Sequence, residues 1–362
     1  MDINSIARPE IVAMKAYESA RKTASAEGIL LNANEAPFTH VDDPVWQRMS
    51  LNRYPPPQPP ELRSRLAELY AVDESKVLVT RGSDEGIDLL TRVFCRPGQD
   101  AIVECSPCSG MYRIAATIQG ARVIDVPRQA DKGLQIDFAR LIEAIDEQAD
   151  IKLVFLTSPN NPTGDLIERG QLEAVLASCA GRALVVLDEA YIEFCDADSA
   201  CGLVDQWPQL VVLRTLSKAW AAAGVRCGTV IANPAVISLL QRVIAPYPLA
   251  ATAIDAALQA ISGQAEARQQ QFVNSVSRSR QDLVSFLLSC DWVRDVYESE
   301  ANFVLMRVAD ADGLVNWCHH RGIKIRNFNS QEQLQGCVRL SIGSETEMAE
   351  LKLALRSFGE QA

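Results

Sequence analysis

From about residue 61 onward, apolar positions recur with two different periods. Leu62, Leu66 and Leu69 stand at helical spacing and predict an amphipathic helix over residues 61–70. Short runs of Val, Ile and Leu follow at 77–80, 101–104, 123–126, 152–156, 183–187 and 210–213, each reading as a strand buried on both sides. Helical segments separate them, as at 87–94 and after Pro107. This alternation predicts an α/β fold with a mostly parallel sheet covered by helices on both faces. The texture changes after about residue 245: long helices at 250–262 and 266–288, then strands at 302–306 and 337–342 around a helix near 314–320, and a closing helix over 345–358. The expected organisation is an N-terminal arm (1–30), a large domain (31–245) and a smaller α+β C-terminal domain (246–362). In the arm, residues 11–21 have a helical pattern. Residues 29–37 read as a strand running into a turn, and 53–60 form a proline-rich connector that fits neither helix nor central strand.

Composition narrows the function. The 362 residues are 48% hydrophobic and 22% charged, as in ordinary globular proteins. A net charge of -11 with no basic block argues against a nucleic-acid partner, so an anionic ligand requires local arginines. The first 22 residues lack the apolar core of a signal peptide, and no apolar run approaches a bilayer's thickness; the expectation is a cytoplasmic protein with no membrane partner. Ten cysteines suit a reducing compartment. Cys105 and Cys108 form a CxxC pair with no second ligand pair, and His40, His319 and His320 stand far from it in sequence, so no metal is expected.

The chemistry gathers at strand ends, where open α/β sheets place their sites. Lys218 follows the 210–213 strand among small apolar residues, and a buried lysine loses hydration of its charged form and becomes a nucleophile toward carbonyls. Thr215, Ser217 and Arg226 flank it, supplying hydroxyls and a fixed cation of the kind a phosphate needs. A Schiff-base lysine beside a phosphate clamp suggests pyridoxal 5'-phosphate. Gly82, Ser83 and Asp84 open a helix whose free N–H groups form an anion site or a plain cap. Asn161 sits rigidly between prolines. Asp188 ends the most apolar strand, where a carboxylate calls for a cationic partner such as a pyridinium nitrogen, and Tyr191 follows three residues on.

In order and combination, 158–164 (SPNNPTG), 186–191 (VLDEAY) and 215–218 (TLSK) with Arg226 resemble the fold-type I, class II aminotransferases. Within that family, 17–21, 31–35, 53–55, 79–86, 301–305 and 338–343 are similar to the histidinol-phosphate aminotransferase group, so the likeness spans nearly the whole chain. The resemblance implies transamination between L-histidinol phosphate and 2-oxoglutarate in histidine biosynthesis. Lys218 would bond the cofactor and shuttle the proton, Asp188 would hold the pyridinium nitrogen, and Asn161 and Tyr191 would bind the ring's phenolic oxygen. The cofactor phosphate would take Ser83, Asp84, Ser217, Arg226, Thr215 and, from the other subunit of a homodimer, Tyr54. Tyr17, Arg326 and Arg339 would hold the substrate phosphate, with Asn34 lining the pocket and Arg339 also serving glutamate's carboxylate.

One departure stands out: where the family usually stacks an aromatic ring on the cofactor, this chain has Ser109, and Tyr112 reads as a packing residue one turn on. Threonine-phosphate decarboxylation and aromatic amino-acid transamination run on the same scaffold, and a phosphate-binding arginine does not separate the first of these from histidinol-phosphate transamination. A cofactor-sensing regulator module is not expected, since the acidic chain leaves no room for a DNA-binding domain before Tyr17.

Overall fold

The computed structural model describes residues 1–14 and 49–360. The arm's helical pattern beyond residue 14 and the expected strand at 29–37 lie outside the described residues. Seven strands form the larger sheet: β1 (Val77–Thr80), β2 (Ala101–Glu104), β3 (Arg122–Asp125), β4 (Ile151–Thr157), β5 (Leu184–Asp188), β6 (Leu210–Thr215) and β7 (Gly228–Ala232). Their spatial order is β1-β7-β6-β5-β4-β2-β3. The run from β3 to β6 is parallel, and β7 lies antiparallel between β6 and β1.

The central strands are apolar because both faces are covered. Val185 and Leu187 enter one core with Leu62, Leu66 and Leu176, from the helices Pro60–Leu69 and Arg169–Cys179. Leu184 and Val186 enter the opposite core with Ile87, Leu90 and Leu240, from Ser83–Phe94 and Pro234–Val243. The predicted mostly parallel, doubly covered sheet is therefore present.

A smaller antiparallel sheet comprises β8 (Val293–Val296), β9 (Phe303–Val308), β10 (Arg326–Asn327) and β11 (Cys337–Ser341), in the order β10-β11-β9-β8. The long helix Gly263–Leu288 and the closing helix Glu345–Gly359 pack on it through Val276, Leu283, Leu351 and Leu355. Leu249, Ala257 and Ile261 belong to the core of the larger sheet, whereas Ala190, Tyr191 and Ala219, from the ends of β5 and β6, join the core of the smaller one. The two sheets thus share hydrophobic packing where the candidate residues sit.

β7 does not stand out in the sequence: after a 3-10 turn at Ala223–Val225 it opens on Gly228 and Thr229, leaving only Val230, Ile231 and Ala232 as an apolar run. Its register matters most for the site. Gly228 opposes Thr215 on one side and Thr80 on the other, which sets Arg226 at the edge where β6 ends and the helix Ser83–Phe94 begins. There the backbones approach closely. A Cβ on Gly228 would overlap the Gly82 carbonyl carbon and stand 2.6 Å from the Ser83 nitrogen. Gly228→Ala is expected to cost about 1–3 kcal/mol through forced backbone displacement. Gly170→Ala, in a helix with nothing within 4 Å, should be neutral or stabilise by up to about 1 kcal/mol. Urea denaturation of both variants checks the contrast.

Candidate active site

Lys218 lies half-buried just past β6, its Nζ 5.7 Å from the centre of the Tyr191 ring. Burial, then the nearby cations Arg339 and Arg226, lower its pKa, while Asp84 and Asp188 oppose them. The direction favours a neutral, nucleophilic amine.

Asp188 closes β5 and is only 6% exposed. One carboxylate oxygen accepts the Tyr112 hydroxyl at 3.0 Å, and the other accepts the Ala190 N–H at 3.1 Å. Tyr112 also lies 2.7 Å from the Thr157 hydroxyl and stacks on Phe155, with ring centroids 4.7 Å apart. It packs in the core, as the sequence suggested, but its hydroxyl also serves Asp188. The signal was present: a buried tyrosine opening a helix at this sheet edge must find a partner for its O–H. Burial pushes Asp188 up to about 6, against the hydrogen bonds from Tyr112 and Ala190.

Around Arg226 the strand ends form a cradle. Its backbone is left-handed (φ 57°), an uncommon conformation for a side-chain-bearing residue, and turns the guanidinium back over Gly82. A Cβ on Gly82 would lie 2.8 Å from that guanidinium. Arg226 reaches the Ser217 hydroxyl at 3.5 Å and the Asp84 carboxylate at 3.3 Å, and Thr215 lies 2.9 Å from Ser217. Gly82 caps the helix Ser83–Phe94 without any side-chain bond, so its first N–H groups lack a side-chain acceptor at the N-cap.

Asn161 links the two sheets. Its amide donates to the Tyr191 hydroxyl at 3.4 Å, and its carbonyl accepts from Arg339. Burial pushes the Tyr191 phenol up to about 12, with Arg339 opposing. Arg339 and Arg326 stand directly opposite each other across the β10–β11 pair, both 5.7 Å from the Phe328 ring. Arg326 is exposed; Arg339 is more buried, and its Nε finds no partner among the described residues. Burial and then Arg326 lower the Arg339 pKa, against Tyr191. Two arginines at paired positions on adjacent strands bring two cations to one side of the small sheet, which suits an anion.

Ser109 sits just before the helix Met111–Gln119, its hydroxyl 3.4 Å from the Met111 N–H. Tyr54 is 50% exposed, with its ring stacked on Tyr247 at 4.4 Å. Tyr17 and Asn34 lie outside the described residues. All ten cysteines are free, and burial pushes the Cys105 thiol up to about 12. Among the described residues no group of three or more His, Cys, Asp and Glu is placed to hold a metal, and no helix is long and apolar enough to cross a membrane.

The profile of aminotransferase class I and II matches residues 26–358. The chain belongs to this family. It is 41% identical over 359 residues to a histidinol-phosphate aminotransferase of Pectobacterium carotovorum, covering 98% of each. It is 42% identical over 354 residues to the Yersinia pseudotuberculosis protein of that name, covering 98% of this chain and 91% of that one. Among solved structures, a histidinol-phosphate aminotransferase from Sinorhizobium meliloti in complex with pyridoxal-5'-phosphate superposes with a TM-score of 0.78 at 23% identity, over 85% of this chain and 83% of that one. A threonine-phosphate decarboxylase from Porphyromonas gingivalis has the same fold, with a TM-score of 0.72 at 23% identity over 87% and 93%.

The residues of this aminotransferase fit pyridoxal phosphate at both ends. At one end, a guanidinium, two hydroxyls and helix N–H groups converge on a cradle that a Cβ at Gly82 would invade. At the other, a buried carboxylate takes hydrogen bonds from a phenol and a backbone N–H and makes no salt bridge among the described residues, which suits a protonated ring nitrogen.

Asp188 yields a stability prediction for the cofactor-free protein. Its folded pKa is raised from 3.8 to about 6, so its contribution is fully present below the unfolded value and is lost as pH rises through the folded one. A rise of about two units corresponds to on the order of 3 kcal/mol. Asp188→Asn should therefore gain stability relative to the parent between about pH 4 and 6 and hold that gain above. Chemical denaturation across this range checks it; a difference that stays flat contradicts the assigned burial cost.

Proposed function

We propose that this aminotransferase exchanges the amino group between L-histidinol phosphate and 2-oxoglutarate, giving imidazole-acetol phosphate and glutamate, with pyridoxal 5'-phosphate as cofactor. When bound, that cofactor supplies an electron sink that stabilises negative charge at the substrate carbon. Nζ of Lys218 bonds the cofactor and moves the proton at that carbon, a task that suits an amine with a lowered pKa. Asp188 keeps the ring nitrogen protonated, and Tyr112 orients its carboxylate. Asn161 and Tyr191 bind the phenolic oxygen. Ser83, Asp84 (through its backbone), Thr215, Ser217 and Arg226 would hold the cofactor phosphate.

The observation that carries the reading of a phosphorylated substrate is the facing pair Arg326 and Arg339, tied to the proposed catalytic residues through Asn161, and the 41% and 42% identity to histidinol-phosphate aminotransferases supports histidinol phosphate as that substrate. In a chain of net charge -11, such a pair is a direct means of holding a substrate phosphate. Arg339 also binds the carboxylate of glutamate; Tyr17, assigned to the substrate phosphate, and Asn34, assigned to the pocket, lie outside the described residues. The enzyme works in the cytoplasm as a homodimer in which Tyr54 reaches the partner's cofactor phosphate. Tyr54 is half exposed even with its ring stacked on Tyr247, and that surface position supports the placement.

Lys218→Ala should abolish turnover while leaving the fold intact, and it should remove the pH-dependent absorbance of the bound cofactor. A variant that keeps both the absorbance and multiple turnovers would refute Lys218 as the bonding amine. Arg326→Ala should raise KM for histidinol phosphate roughly ten- to hundredfold, since a charge-assisted phosphate contact is worth about 1.5–3 kcal/mol. Its effect on glutamate should be small, whereas Arg339→Ala should impair both half-reactions. Single-turnover absorbance changes measure the halves separately, and equal losses in the Arg326 variant would remove it from phosphate recognition.

A further inference from the structure

Behind Asp188 and Lys218 lies a buried ion cluster that the proposed reaction leaves unused. Arg214, the penultimate residue of β6, is 6% exposed. Its guanidinium meets the Glu193 carboxylate at 2.8 Å, the Glu189 carboxylate at 3.4 Å and the Ser199 hydroxyl at 3.0 Å. Glu189 in turn accepts from the Ser199 hydroxyl at 2.5 Å and the Ala200 N–H at 2.7 Å. Tyr70, at the end of the helix Pro60–Leu69, lies under the guanidinium at 4.6 Å. Cys201 approaches it at 3.8 Å. Against the cost of burial, Glu193 and Glu189 hold the Arg214 pKa well above its ordinary value. Burial raises Glu189, and Arg214 opposes that rise.

The cluster's place in the ladder gives it a role. Backbone pairing between β5 and β6 reaches Asp188 opposite Leu213, followed by one further bond from the Glu189 N–H to the Leu213 carbonyl. Beyond that point the two chains diverge, one toward Tyr191 and the other toward Lys218. The next rung is made by side chains, Glu189 to Arg214. Successive strand residues face opposite sides, so Glu189 and Arg214 lie beneath the sheet edge where Asp188 and Thr215 face the site. Glu193, two residues past Tyr191, takes the other side of the same guanidinium.

Resting on the reading that Asp188 and Lys218 act on one cofactor, we propose that Arg214 is a positioning residue, fixing with Glu189 and Glu193 the separation between the Asp188–Tyr191 segment and the Thr215–Lys218 segment. Stability alone does not account for it. A buried ion pair is commonly no better than apolar side chains of equal volume, and this cluster sets two carboxylates against one cation. What a planar, forked guanidinium adds is fixed geometry between two acceptors.

The test compares the parent with a neutralised variant, Arg214→Met with Glu189→Gln and Glu193→Gln, which leaves no unpaired buried charge, and with Arg214→Lys, which keeps the charge but not the fork. Each is loaded with pyridoxal phosphate, and four quantities are measured: melting temperature, cofactor Kd, the pH midpoint of the cofactor's absorbance, and kcat with KM for glutamate. The neutralised variant should melt close to the parent yet show a shifted absorbance midpoint, weaker cofactor binding and a kcat lower by roughly ten- to hundredfold, the scale expected for sub-ångström to ångström misplacement. KM for glutamate should change much less, and Arg214→Lys should fall in between. Parental midpoint, Kd and kcat in a folded neutralised variant would overturn the proposal. If that variant fails to fold, parental values in Arg214→Lys would overturn it equally. A parent protein that takes up no cofactor with a pH-dependent absorbance would refute the functional reading, and this inference with it.

Discussion

The site is built around an acid placed where ionisation is costly. Asp188 ends a strand buried on both faces, and its nearest donors are neutral: a phenol and a backbone N–H. Its neighbours in charge, Asp84 and Glu189, push its pKa further in the same direction as burial. On the assignment proposed above, a protonated pyridine nitrogen would relieve that cost, and the carboxylate would in return keep the nitrogen protonated. Tyr112 keeps the carboxylate oriented meanwhile, since its own ring is fixed against Phe155 and its hydroxyl against Thr157.

The rest of the arrangement follows from where strands end. Parallel strands β4, β5 and β6 deliver the Asn161 turn, Asp188 and Lys218 to one edge, and the antiparallel β7 returns the chain so that Arg226 meets the start of the helix Ser83–Phe94. The smaller sheet closes over this edge through shared packing at Tyr191 and Phe303, whose rings meet edge to face at 5.2 Å, and through Arg339 on Asn161. The residues proposed for the cofactor ring (Asn161, Tyr191) and Arg339, proposed for the substrate, are therefore joined by contacts within one chain.

Much of this was legible in the residues because buried parallel strands leave long Val, Ile and Leu runs, and because Lys218, Asp188 and Asn161 each stand at the end of one. Arg326 and Arg339 flank the polar stretch 327–336, over which the chain returns so that β10 and β11 set the two residues opposite each other. What could not be read was non-local. β7 is short, and its importance lies in its two neighbours rather than in its own five residues. Tyr112 looked like core because it is core, and its hydroxyl bond depends on a partner 76 positions away. The Arg214 cluster joins residues 70, 189, 193, 199 and 214, a set no periodicity connects.

Selection of a phosphorylated amino donor for transamination rests, in the function proposed, on two facing arginines beside a pyridoxal-phosphate site. Its most direct test presents the purified, cofactor-loaded protein with histidinol phosphate, phosphothreonine and phenylalanine in separate single turnovers. The cofactor's absorbance and carbon dioxide release are followed together. Histidinol phosphate should be converted rapidly and without carbon dioxide release, 2-oxoglutarate should restore the absorbance with formation of glutamate, and the other two compounds should react much more slowly. Preference for phenylalanine, or carbon dioxide release from phosphothreonine at a higher rate than histidinol phosphate is converted, would contradict it.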